Sequence, residues 1–346
     1  MTGRSAGVER RADGAQRQPS LRCSRLTVVR QCAAAVAALL ASGIVLAQRQ
    51  VPDPDFDASV PKPSYTREHP RVVMDEAHYN YHTAQGRYKP LADLLRNDGY
   101  DIRIGKGRFD SAGLHSVRVL IVANALGGEA VPDQTKPAFS AQECDTVVEW
   151  VRRGGALLLI ADHAPFGHAA HDLAIRFGVE MGAGFAFDPQ NSEGDPTILV
   201  FSRANGLLGD HPVTRGRDES ERVRRVVAFT GQSLTIPFGA TALMKFAPSA
   251  YEAAAAAATR SALADAPTSL DGNAHTEPIG GRAQGVAMSF GKGRVIVAGE
   301  AAMFSAQRLT WDTPGRPDVR FGMNAAGNDD RQFALNALHW LSGAIK

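Results

Sequence analysis

Cysteine is nearly absent from this chain: Cys23, Cys32 and Cys144 are the only three in 346 residues. The first two fall in a leader-like segment, so Cys144 stands alone and an internal disulfide is excluded; the core must hold itself together by packing. Its place four residues into an expected helix marks Cys144 as a small buried hydrophobe. The phosphate-cradling pattern G-x-x-x-x-G-K-[ST] is missing, and no G-x-G-x-x-G follows the first expected strand, so nucleotide cofactors are not indicated. Neither G-x-S-x-G nor G-x-C-x-G occurs, which removes the usual signatures of a serine or cysteine nucleophile. Aromatic residues make up 7% of the chain and are too scattered for a sugar-stacking platform. No repeat of 20 to 50 residues is visible.

A strong charge of one sign is also lacking once the leader is set aside. Residues 1–31 carry seven Arg against Glu9 and Asp13, and an apolar run from Cys32 to Ala47 follows. Val45 and Ala47 lie three and one positions before Gln48, the small-residue pattern of a signal-peptidase site. The apolar run is short for a membrane span, which needs roughly 20 residues. The pattern predicts a signal peptide over 1–47, export to the periplasm or medium, and no stable membrane span after cleavage. The remainder holds 31 basic against 34 acidic residues. That balance gives no basic surface for nucleic acid and leaves a small molecule as the expected ligand.

Residues 48–70 are Pro-rich and without periodicity, and are expected to form a linker ahead of one α/β domain over 71–346. Within that domain, RVVMDEAH reads as a short strand, and Leu91, Leu94 and Leu95 mark a helix that Gly99 stops. DIRIGKG and VRVLIVANA are further strands. Ser140 with Glu143 forms a capping box for the helix that ends at Gly154-Gly155. The central stretch is RGGALLLIADHAPFGHAAH, where the apolar run Ala156 to Ile160 delivers Asp162 and His163 to a turn. Such a run is what a strand buried on both faces looks like. Alternating strands and helices at this spacing predict a three-layer α/β fold with a parallel sheet of flavodoxin-like order. A β-rich insertion is expected over about 180–290, with residues 251–282 on the surface. A Gly291/Gly293 hairpin, a loop from Ser305 to Asn328 and an amphipathic helix close the chain.

In an open α/β sheet the ligand crevice lies outside the carboxyl ends of the strands. Polar residues crowd at those points: Asp75, Glu76, His78 and His82; Asn124; Asp162, His163, His168 and His171; Glu300; and Asn324, Asn328, Asp329 and Asp330. Asp162, His163, Glu76 and Glu300 are the candidates for acid–base work. His78 and His82 are spaced i, i+4, and His168 and His171 i, i+3. His78, His82 and His168 are therefore candidate ligands of a divalent metal, although no H-E-x-x-H accompanies them. Hydrogen bonding in turns and caps is the commoner role for such histidines, and acid–base catalysis is a third. Asp75, Asn124, Asn324, Asn328 and Asp329 complete the expected pocket.

Several stretches together resemble the class I glutamine amidotransferase-like superfamily, in an exported branch of it: VVMDEAHYNYHT, RYKPLADLLRNDGY, GGALLLIADHAPFG, DHPVTRG, GRVIVAGEAAMFSAQ and GMNAAGNDDRQFALNALHWL. They cover most of 71–343. In the amidotransferases, a strand like 156–161 leads into a sharp turn that carries the catalytic Cys. Here that turn reads Ala161-Asp162-His163-Ala164-Pro165, without Cys, Ser or Thr, and His339 falls inside a helix. The resemblance therefore implies the fold and not the glutaminase chemistry. Two functions remain open: a hydrolase that activates water, with or without a divalent metal, on a small substrate, and a non-catalytic periplasmic ligand-binding or accessory domain.

Overall fold

The computed structural model describes residues 48–182, 184–254, 275–311 and 317–346. The leader expected over 1–47, and the Ala-rich stretch from 255 onward, lie outside the described residues. Among the described residues, no helix is long and apolar enough to cross a membrane.

The apolar runs become strands β1 (Arg71–Asp75), β2 (Asp101–Gly105), β3 (Val119–Ala123) and β4 (Ala156–Ile160). Every residue of β3 and β4 is buried, as strands covered on both faces require. Between them run helices α1 (Lys89–Asn97) and α2 (Ala141–Arg152), and α3 (Phe166–Ile175) follows β4. Pro90 opens α1, and Gly99 follows it at φ 97°, a left-handed conformation that glycine adopts without a Cβ penalty. The Ser140–Glu143 capping box holds the start of α2 in both directions.

The chain then adds β5 (Thr241–Lys245), β6 (Ala283–Phe290), β7 (Gly293–Ala298) and helix α4 (Asp330–Ser342). The seven strands form one sheet in the order β5-β6-β7-β4-β3-β1-β2. Strands β2, β1, β3, β4 and β7 are mutually parallel. β6 runs antiparallel to both β7 and β5, so the sheet is mixed and not wholly parallel. The reason is the tight Gly291-containing turn, which can only return β7 alongside β6 in the opposite sense. Among the described residues, three further sheets of three strands each form beside this one in the chain.

Because side chains alternate along a strand, each face of the sheet builds its own core. Val119, Ile121, Leu158 and Ile160 pack with Leu91, Leu94 and Leu95 of α1 and Phe333, Leu338 and Leu341 of α4. Leu120, Val122, Leu157 and Leu159 pack with Cys144, Val147 and Val151 of α2 and Leu173 of α3. Cys144 is a free, buried thiol in that second core.

Residues 48–70 differ from the expected linker. Gln48–Pro52 pairs antiparallel with Ala306–Trp311, which pairs in turn with Val319–Gly322. Two strands therefore stand where the sequence suggests a loop over 305–328. The Asp53 side chain, 4% exposed, accepts hydrogen bonds from Arg308, Arg320 and Asn324. Further along, Ser64 Oγ and Asp98 Oδ2 both lie 2.7 Å from Nε2 of His339 on α4. The segment is ordered by these distant partners, which no local periodicity announces.

Candidate functional site

Three adjacent parallel strands, β3, β4 and β7, end on the same edge of the sheet and deliver Asn124, Asp162 with His163, and Glu300. The register places Ala123 beside Ile160 and Ile160 beside Ala298, so the residues just beyond meet.

Asn124 is the hinge of this cluster. Its φ of 48° is left-handed, a conformation that Asn tolerates better than most residues. Its side chain is buried and lies between two neighbours. The backbone N–H of Asp162 donates to Asn124 Oδ1 at 2.9 Å, and Asn124 Nδ2 stands 3.1 Å from His82 Nδ1. The first contact fixes which end of the amide is oxygen, because a backbone N–H can only donate. The second end is then the NH2, so His82 Nδ1 must accept and the ring proton sits on Nε2. Burial, and then the nearby Arg87 cation, push the His82 pKa down to about 3, so the ring is neutral. Its ring leans on Tyr88 at 4.6 Å.

His163 has the opposite polarity. Its Nδ1 lies 2.9 Å from the carbonyl oxygen of Ala164, which can only accept, so Nδ1 carries the proton and the neutral ring keeps its lone pair on Nε2. The ring stacks on Phe185 at 4.5 Å, and the His163 backbone N–H donates to Asp162 Oδ1 at 2.8 Å. Gln232 supports the turn from behind, donating to the carbonyls of Ala161 and Asp162 at 2.7 and 2.9 Å.

The two carboxyls here are both shifted upward. Glu300 is wholly buried and accepts from the backbone N–H groups of Ala302 at 2.6 Å and Met303 at 2.8 Å. Burial, and then the neighbouring Asp162, push it well above the ordinary carboxylate range. Burial also raises Asp162, against the pull of His163 and of the His163 and Ala301 amides. Tyr88, buried beside this cluster, donates to the Ala301 carbonyl at 2.9 Å. The Arg87 guanidinium lies 4.2 Å over the Tyr81 ring, a cation–π contact.

The remaining candidates go elsewhere. His78 is locked between Asp75, 2.9 Å from its Nδ1, and Glu143, 2.9 Å from its Nε2, so both ring nitrogens are occupied. His168 is exposed on α3. His78, His82 and His168 thus share no centre, and among the described residues no group of three His, Cys, Asp or Glu is placed to hold a metal ion. Glu76 Oε1 accepts the Ala84 N–H at 2.8 Å and serves its own loop. Asn324 binds Asp53, Asn328 donates to the Gly322 carbonyl, and Asp329 accepts the Arg224 and Arg225 N–H groups. These three brace the small sheet and the start of α4. Gln232, Phe185 and Tyr88 belong to the site and carried no sequence signal, since two of them sit in stretches without periodicity.

No protein-family model matches the chain, and no curated protein matches it. Among solved structures, the mmIFT52 N-terminal domain aligns at 15% identity over 78% of this chain and 97% of that one, with a TM-score of 0.53. A thua-like protein from Bacteroides uniformis aligns at 13% identity over 82% and 93%, with a TM-score of 0.39. The cytoplasmic protein STM1381 from Salmonella typhimurium LT2 aligns at 12% over 79% and 97%, at 0.40. At such identities the first likeness speaks for the fold alone: a mixed α/β architecture around one large sheet.

Proposed function

We propose that this chain is an exported α/β hydrolase with a three-layer, flavodoxin-like core of the class I glutamine amidotransferase-like kind. In this reading it activates water on a small substrate without a protein nucleophile. The order of the five parallel strands, β2-β1-β3-β4-β7, and a core on each sheet face support the fold reading. The basic-then-apolar leader supports export.

One observation carries the chemistry: the Nδ1 contact to Ala164 leaves His163 Nε2 as the basic nitrogen of a half-buried ring at the strand ends. There His163 takes the proton of an attacking water as general base. Asp162 accepts the His163 backbone N–H, which fixes the turn, and Glu300 holds the facing turn through its two amides. The test is a screen of esters, amides, phosphate monoesters and glycosides, with metal content by elemental analysis alongside. Turnover of one class, with kcat reduced roughly 100- to 10,000-fold by His163→Gln, supports the reading. Turnover unchanged in that variant sinks it.

The second reading, a non-catalytic ligand-binding or accessory domain, has its own observation. Glu300 and Glu76 spend carboxylate oxygens on backbone N–H groups, as scaffold residues do. No turnover in the screen, with a saturable ligand, would favour it.

A further inference from the structure

We propose that His82 is the oxyanion-binding donor of this crevice, its neutral ring oriented by Asn124 so that Nε2–H is offered to a substrate oxygen that carries or develops negative charge. This names the substrate group for the hydrolytic site above and rests on that reading only for its use in turnover.

The geometry leaves His82 little choice. Asp162 N–H occupies Asn124 Oδ1 at 2.9 Å, so Asn124 faces His82 with its NH2. The ring is 5% exposed, and its Nε2–H hydrogen-bonds to no described residue. A donor on a largely buried ring that no described residue satisfies is available to an acceptor that arrives at the strand ends. Arg87 and His163 stand close enough to act electrostatically on this ring, and the cation favours an acceptor with negative charge. A neutral imidazole suits this role because it donates to a developing oxyanion without first having to lose a charge of its own. His163 Nε2, with the reverse polarity, would serve the attacking water while His82 serves the oxygen. The shared chemistry is an acyl or phosphoryl oxygen.

The test needs no turnover. In the full-length protein with 15N-labelled histidine, long-range 1H–15N spectra report which ring nitrogen carries the proton, and His82→Gln identifies the His82 signal by its loss. The expected pattern is neutral, Nε2-protonated and unchanged from pH 5 to 8. Sodium acetate and inorganic phosphate are then titrated separately, and at least one shifts the Nε2–H signal saturably. Acetate alone points to carboxylate or acyl substrates, and phosphate alone to phosphoryl ones. Asn124→Asp retains the acceptor for Asp162 N–H but presents only acceptors to His82. That moves the proton to Nδ1 and weakens anion binding roughly 10- to 100-fold. If Asn124→Asp fails to fold, the wild-type pattern still decides. A ring protonated on Nδ1, or no shift with either anion, overturns the proposal and leaves the role of His163 untouched. Loss of the hydrolase reading, with the tautomer and anion binding intact, would leave this one standing.

Discussion

Nε2 of His78 lies 2.9 Å from Oε1 of Glu143, and its other ring nitrogen is held by Asp75, so one imidazole joins the end of β1 to the first turn of α2. Burial works against a charged ring, but the two carboxylates outweigh it and raise the His78 pKa above its ordinary 6.5. Burial likewise opposes Glu143, yet the hydrogen bonds from His78 and Ser140 bring it from 4.5 down to about 2. A raised imidazole contributes fully below 6.5, and the contribution is lost as pH climbs through the raised value. A depressed carboxylate contributes fully above 4.5, and the contribution is lost as pH falls towards about 2. The clamp is thus complete between those ordinary values. His78→Ala should cost about 3–5 kcal/mol in that window, as breaking a buried ion pair does, and less at pH 8.5 or pH 3. Urea midpoints across pH, at constant m, measure it.

How much of the site is legible in the sequence follows from the range of the interactions. The uninterrupted apolar runs of β3 and β4 mark both buried strands and therefore their ends, which is why Asn124, Asp162 and His163 stand out. Glu300 is visible because the hairpin before it is a local pattern. The polarity of His82 is not, because it depends on which way one amide faces across two loops. Glu143 is legible as a cap, and its second oxygen, bound to His78, is not. Gln48–Pro52 looks like linker because a strand needs no periodicity of its own when its partner, Ala306–Trp311, lies far along the chain.

Gly167 allows α3 to approach Gln232. A Cβ at that position would stand 2.2 Å from Gln232 Oε1, and the side chain cannot swing away without releasing the Ala161 and Asp162 carbonyls. Gly167→Ala should cost about 1–3 kcal/mol by overpacking. It should also disturb the His163 turn, whereas Gly239→Ala, which meets nothing within 4 Å, should cost only the strain of its positive φ. Thermal unfolding and the His163 NMR signals of both variants check this.

Asp53 anchors the first strand through Arg308, Arg320 and Asn324. Its removal frees guanidinium groups that are partly exposed and can be hydrated, so the loss should stay local. Asp53→Ala is expected to lower the opening free energy of Gln48–Pro52 by about 1.5–3 kcal/mol. Hydrogen exchange of those amides and of Ala306–Trp311 should then quicken roughly 10- to 100-fold, with β3 and β4 unchanged.

Glu300 gives the opposite pH sense to the His78 clamp's carboxylate. Its folded-state pKa is raised well above the ordinary 4.5 by burial and by Asp162, with Asp330 adding to the effect. The folded state therefore binds a proton more tightly than the unfolded chain does. Stability from this group is greatest below 4.5 and declines as pH rises above it, because keeping or ionising the buried acid then costs free energy that the unfolded chain is spared. Glu300→Gln removes that titration. It also sets an NH2 against one of the amides of Ala302 and Met303, which should cost about 1–3 kcal/mol at low pH. The stability gap between wild type and Glu300→Gln should accordingly be widest near pH 4.5 and shrink towards pH 8. Urea unfolding of both proteins at those two pH values tests it. A gap that widens with pH would mean that Glu300 is ionised in the folded protein, held as a carboxylate by its two amides.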